Sequence, residues 1–228
     1  MFKEILSILR RDDLLKQAME EAGVMFSKAE LMFRNAIKLV MECQKPDVDM
    51  YETDREINRM EWAIRQKVLE HLVLTDKKDD ASAVLILTSA VVDIERIGDY
   101  SKNMMELADI CEKAPLIEER HGAFFKETEE QILEIFELTR DAYRNGDKEK
   151  AQRAMDIHWQ ISANCDRMFE ELASERELDT EYAVIYTLLA RYLKRVSSHL
   201  KNIASSAVNP FPKMGFRYSE EGEDLDIG

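Results

Sequence analysis

Val91-Val92-Asp93-Ile94-Glu95-Arg96-Ile97-Gly98-Asp99-Tyr100-Ser101-Lys102-Asn103 is the stretch on which the reading of the whole chain turns. It lies within Ala81 to Ile110, a run without proline in which Leu87, Val91, Ile94, Ile97, Met104 and Ala108 recur at three- and four-residue steps. That spacing predicts one apolar stripe of an amphipathic helix. Two features work against an ordinary helix. Glu95 and Asp99 stand four apart, so like charges share a face and repel by roughly 0.2–0.5 kcal/mol. Gly98 between them costs about 1 kcal/mol relative to alanine. A residue without a side chain, beside two carboxylates and a core stripe, suggests that something comes close and is held by oxygen ligands. The helix by itself also admits a plainer reading, with both acids solvated and Gly98 only letting another helix approach.

Outward from this stretch the same periodicity recurs. Leu15, Met19, Ala22, Phe26, Ala29, Phe33, Ala36 and Val40 mark a long first helix that ends before Pro46. Asp54 to Leu74 is a second, with Ile57, Ile64, Val68 and Leu72 on one side. The link Asp76-Lys77-Lys78-Asp79-Asp80 is short and polar, so the third helix folds back antiparallel. Ala114-Pro115 and His121-Gly122 make a break, after which Phe125, Ile132, Ile135, Phe136 and Tyr143 mark a fourth helix, stopped at Asn145-Gly146 by a turn-forming pair. Asp147 to Ser174 is a fifth, with Ala151, Ala154, Ile161, Cys165, Met168 and Leu172 inward. Asp179 to Val208 is a sixth, carrying Leu189, Leu193, Val196, Leu200, Ile203 and Ala207, and Pro210 and Pro212 end it. Stripes of this spacing pack as left-handed bundles.

Composition agrees with an all-α chain: 228 residues hold only 7 glycines and 4 prolines, and 34% are charged. A net charge of −14 argues against nucleic acid as a direct ligand, because phosphate binding needs a basic surface. It argues equally against passive adhesion to anionic lipid. Cys43, Cys111 and Cys165 are widely spaced and odd in number, which reads as reduced, buried thiols in a cytoplasmic protein. Met1-Phe2-Lys3-Glu4 lacks the pattern of a cleavable leader. The uncharged run Ala81–Val92 is far too short to span a bilayer.

Two sets of three helices invite a repeat test. Leu193, Arg195, Val196 and Asn202 fall 99 residues after Ile94, Arg96, Ile97 and Asn103. The repeat is divergent, because the positions of Glu95, Gly98 and Asp99 are taken by Lys194, Ser197 and Ser198. The organisation expected is therefore two tandem three-helix bundles, residues 1–113 and 114–209, followed by an irregular acidic tail, 210–228.

Asp93-Ile94-Glu95-Arg96-Ile97-Gly98-Asp99, with Asn103 beyond it, resembles the third-helix signature of the PhoU domain family, and duplicated three-helix bundles resemble its architecture. The resemblance covers roughly residues 14–208 and implies a metal site in each bundle, made by the third helix and an acidic pair on the helix before it. In the first bundle that place is held by Asp54 and Asn58, so the implied metal ligands are Asp54, Asn58, Glu95 and Asp99. All-oxygen ligation suits hard or intermediate cations, and the resemblance leaves iron, manganese, magnesium and zinc open. In the second bundle an alignment on Phe169-Glu170-Glu171-Leu172 puts His158 and Ser162 at the acidic positions. A lysine such as Lys194 would repel a cation, so one metal site is expected, in the first half only.

The resemblance further implies a cytoplasmic, non-enzymatic regulator of phosphate uptake and phosphate signalling. Its partner would be a membrane phosphate transporter subunit, of the ABC type or a sodium–phosphate symporter, and in many bacteria a sensor histidine kinase; a homodimer is left open. The rivals are a metalloenzyme and a metal-storage bundle. No catalytic residue is assigned: the chain carries no P-loop, GxSxG or HExxH. His71, His121, His158 and His199 have no ligand spacing, while the 12 methionines and the pair Trp62 and Trp159 read as helix packing.

Overall fold

In this computed structural model the described residues are 13–74, 80–110, 117 and 119–216, with Lys3, Leu6 and Ser7. Helix α1 (Asp13–Glu42) ends at Cys43, which takes a left-handed φ of 55°. Asn35 Oδ1 then accepts from the Asp47 amide at 2.7 Å and pins the loop. Helix α2 (Met50–Leu74) starts four residues earlier than expected. The reason is Asp49, whose carboxylate accepts from the Glu52 amide at 3.0 Å and satisfies one of the orphan donors of the first turn.

Helix α3 (Ala81–Ile110) has the bounds expected of it. Across the link before it, His71 Nε2 lies 3.0 Å from Asp80 Oδ2 in a buried pair. Helix α4 (Glu119–Asn145) takes in His121 and Gly122, which the sequence reading placed in a break. His121 is buried, 3.2 Å from Glu175 and against the Tyr186 ring, and that burial outweighs the helix cost of the neighbouring glycine. Gly146 ends α4 with φ 65°, the left-handed residue that a helix C-terminus favours. Asp147 caps α5 (Lys148–Ser174) through the Lys150 amide, and Asp179 caps α6 (Thr180–Ser205) through the Glu181 amide.

Helix α6 ends at Ser205, three residues before the expected Val208, and beyond it the chain leaves the helical pattern. A 3₁₀ turn, Phe211–Lys213, is held back against α6 by Asn209 Nδ2, which donates to the Lys213 and Phe216 carbonyls, and by the Gly215 amide, which donates to Ser205 Oγ. The apolar start Phe2–Leu9 (Lys3, Leu6 and Ser7 aside), the link at 76–79, Cys111, Ala114-Pro115 and the acidic Ser219–Gly228 lie outside the described residues.

Helices α1–α3 form one three-helix unit and α4–α6 a second, and the two pack through α3 against α6. The buried apolar side chains of both units join into one cluster, from Leu15 on α1 to Ile203 on α6. At the junction Phe136 meets Phe26 and Phe33 at 5.5 Å, and the Arg140 guanidinium pairs with buried Glu30. Asp93 accepts from Asn202 at 3.1 Å and faces His199 at 2.7 Å. No helix among the described residues is long and apolar enough to cross a membrane.

Candidate functional site

Helices that coil around each other in a left-handed bundle meet along a 3.5-residue seam, so residues seven apart face the same partner. On α2 that seam is Asp54, Ile57, Glu61, Ile64 and Val68; on α3 it includes Glu95 and Lys102. The helices are antiparallel, and seven residues forward from Asp54 to Glu61 match seven back from Lys102 to Glu95. Lys102 Nζ accordingly donates to Asp54 Oδ2 at 2.9 Å, and Glu61 lies close enough to act on Glu95.

Asp54, Asn58, Glu95 and Asp99 are the ligands that the resemblance implies. The structure brings three of these towards one cleft and leaves the fourth out. Four residues advance a helix by more than a full turn, so Asn58 swings from the seam to the exposed side while Asp54 stays buried. The acid that shares the seam with Asp54 is Glu61, seven residues on, which the i, i+4 template passed over. It is largely buried and paired with Arg65 at 2.7 Å. Lys102 was passed over too, although it follows Asp99 by three residues and donates to it at 3.3 Å.

Gly98 has a packing reason. A Cβ built on it would stand 3.2 Å from Ile57 Cδ1 and 3.7 Å from Met32 Sδ. What comes close to this glycine is the neighbouring pair of helices.

The electrostatics follow from crowding. Burial first, then the Asp99 charge, pushes the Glu95 carboxyl up to about 7, with Arg96 working the other way and Glu61 adding to the rise. Burial also opposes the Lys102 ammonium, but Asp54 and then Asp99 outweigh it, and Lys102 titrates above the usual lysine range. Arg96 holds Asp99 Oδ2 at 3.1 Å and lies 3.5 Å from Glu95.

The donors as arranged do not fit a resident metal ion. Both Asp99 oxygens and Asp54 Oδ2 already face cationic side chains. Among the described residues no three of His, Cys, Asp and Glu group as metal ligands.

The equivalent cleft in the second unit is built from other chemistry. His158, aligned with Asp54, is buried with Nδ1 2.9 Å from Ser197 Oγ. Burial, then Lys201 and Lys194, lowers its pKa to about 3. Lys194 donates to Asp166 at 2.6 Å, and Ser162 and Ser198 are half-buried. Lys201, which falls 99 residues after Lys102, is buried over the Trp159 ring at 5.5 Å.

Three side chains expected in the core are outside it. Leu72 and Cys43 are exposed, and Trp62, read as helix packing, is 70% exposed. Tyr51, Trp62, Leu69 and Val73 fall at steps of eleven, seven and four along α2 and so lie on one face, all exposed. Core periodicity alone does not reveal these exposed apolar side chains on α2.

Comparison with known proteins gives the following. The PhoU domain model matches residues 23–108 and 125–207. A phosphate-specific transport system accessory protein PhoU homolog of Synechocystis is 23% identical over 209 residues, 89% of this chain and 88% of that protein. The accessory protein PhoU homolog 1 of Thermotoga maritima is 27% identical over 124 residues, 51% of each chain; the match thus spans about half of that relative's length. Among solved structures, PhoU from Pseudomonas aeruginosa superposes with a TM-score of 0.76 at 20% identity, over 86% of this chain and 95% of that one. The phosphate transport system regulatory protein PhoU from Streptococcus pneumoniae gives 0.66 at 20% identity over the full length of both.

Proposed function

Because the chain belongs to the PhoU domain family, we propose that it is an accessory regulator of phosphate transport that works by contact and not by turnover. The observation that carries this reading is the match to a phosphate-transport accessory protein along 89% of the chain, through both repeats. The partner is a membrane phosphate transporter subunit, and the chain acts in the cytoplasm, held at the membrane by that partner.

The surface suits contact with a protein better than with nucleic acid or anionic lipid. A charge of −14 repels nucleic acid and anionic lipid. On the outer face of α2, Trp62 and Val73 are 70% and 75% exposed. Large exposed apolar side chains gathered on one helix face mark interaction sites, and an aromatic anchor such as Trp62 is the type of residue that dominates interface energy. We assign this face to the transporter subunit. Regulation by contact does not require the metal expected from the resemblance.

The test is phosphate uptake in cells lacking the chain and complemented with either the natural protein or Trp62→Asp. The natural protein restores regulated uptake and co-purifies with a phosphate transporter subunit, while Trp62→Asp does neither despite normal folding. Regulation restored equally by both would remove the α2 face from the account. No change in uptake on deletion would overturn the function itself.

A further inference from the structure

We propose that Lys102 is a built-in counter-ion which closes the acidic cleft of the first bundle to divalent metal, so that this chain holds an ammonium where the family resemblance implies a metal centre. The ammonium bridges two carboxylates from different helices, Asp54 on α2 at 2.9 Å and Asp99 on α3 at 3.3 Å. Joining two helices through their oxygens is the work a bridging cation would do. Its side chain is only 21% exposed, so it is not a surface lysine resting by chance on an acid.

Several of the remaining donors also face cationic side chains. Arg96 takes the second Asp99 oxygen and approaches Glu95, Arg65 takes Glu61, and Asn58 is out of the cleft. A divalent ion entering between Asp54 and Asp99 would have to displace the lysine and then stand beside it, and like charges at such distances repel strongly inside a protein.

The repeat supplies a separate observation. The acids of the first cleft are not kept in the second, yet a lysine stands at the same place 99 residues later. There Lys201 donates to the Gly215 carbonyl and lies over Trp159. An inward cation at this register is thus common to both halves, and the first half alone retains carboxylates around it.

The experiment loads the full-length chain with Mn²⁺ or Zn²⁺, dialyses it and measures retained metal, with far-ultraviolet circular dichroism to verify folding. The natural protein and Lys102→Arg retain no stoichiometric metal. Lys102→Met gains one ion per chain, with Mn²⁺ affinity rising about 10- to 100-fold, the range over which groups bordering a metal site alter its affinity. Adding Asp54→Asn to Lys102→Met abolishes the gain. Stoichiometric metal on the natural protein, lost in Asp99→Asn, would overturn the proposal, and this arm holds even if Lys102→Met fails to fold. A folded Lys102→Met that binds no better than the natural protein would overturn it too.

Discussion

Gly98 shows how far a single residue can be read before its neighbours are seen. Its cost in a helix announced a close approach, and the structure supplies Ile57 and Met32 as the atoms that come near. The end of a flexible isoleucine can give way to one methyl group, so Gly98→Ala should change stability little. Gly98→Leu has to displace both neighbours, and overpacking of this kind costs about 1–3 kcal/mol. At roughly 2–4 °C per kcal/mol for a chain of this size, its midpoint of thermal unfolding should fall by several degrees. An unchanged midpoint would mean that the contact is not tight.

His158 gives a second prediction at this scale, with a definite sign. Its pKa is lowered in the fold to about 3 from an ordinary 6.5. The unfolded chain therefore takes up the proton first, and stability is lost as pH falls from 6.5 towards 3. At pH 5 the loss from this residue is about 2 kcal/mol. His158→Gln should flatten the fall in unfolding temperature between pH 7 and pH 5 by several degrees, whereas an identical slope in both proteins would show that another group is responsible.

At the scale of the helix, α3 was legible and α2 only in part. The bounds of α3 follow from an apolar stripe and an absence of proline, which are local properties. The face of α2 that meets α3 depends on supercoiling, so an i, i+4 template chose Asn58 where the seven-residue seam chooses Glu61. Lys102 stayed unread for the same reason, since its importance lies in reaching Asp54 on another helix. Trp62 is misread because tryptophan on a helix is usually buried, and nothing local says that this face of α2 is exposed. Being 70% exposed, Trp62 should contribute little to stability: Trp62→Ser should unfold within about 0.5 kcal/mol of the natural protein. A larger loss in denaturant titration would place the indole in the core.

At the scale of the molecule, the six long helices among the described residues and their duplication are legible directly, because a 99-residue offset and repeated stripes are visible in one dimension. The packing of α3 on α6 is not, since it rests on pairs such as Asp93 with His199 and Tyr100 with Tyr192 that no periodicity links. That junction, with Arg140 on Glu30 and one continuous buried cluster, should make the two units unfold together. Calorimetry should give one transition, with calorimetric and van't Hoff enthalpies equal; two separated transitions would show that the bundles are energetically independent.

The claim that the chain regulates phosphate transport by touching the transporter is met most directly by site-specific photo-crosslinking from position 62 in intact cells, with the crosslinked product identified by mass spectrometry. The account predicts a phosphate transporter subunit joined to the chain at position 62, and no such product when the crosslinker stands at the exposed Asp166 of α5, in the second unit. Crosslinks to a transporter from Asp166 but never from position 62, or none to any phosphate transporter from either, would contradict it.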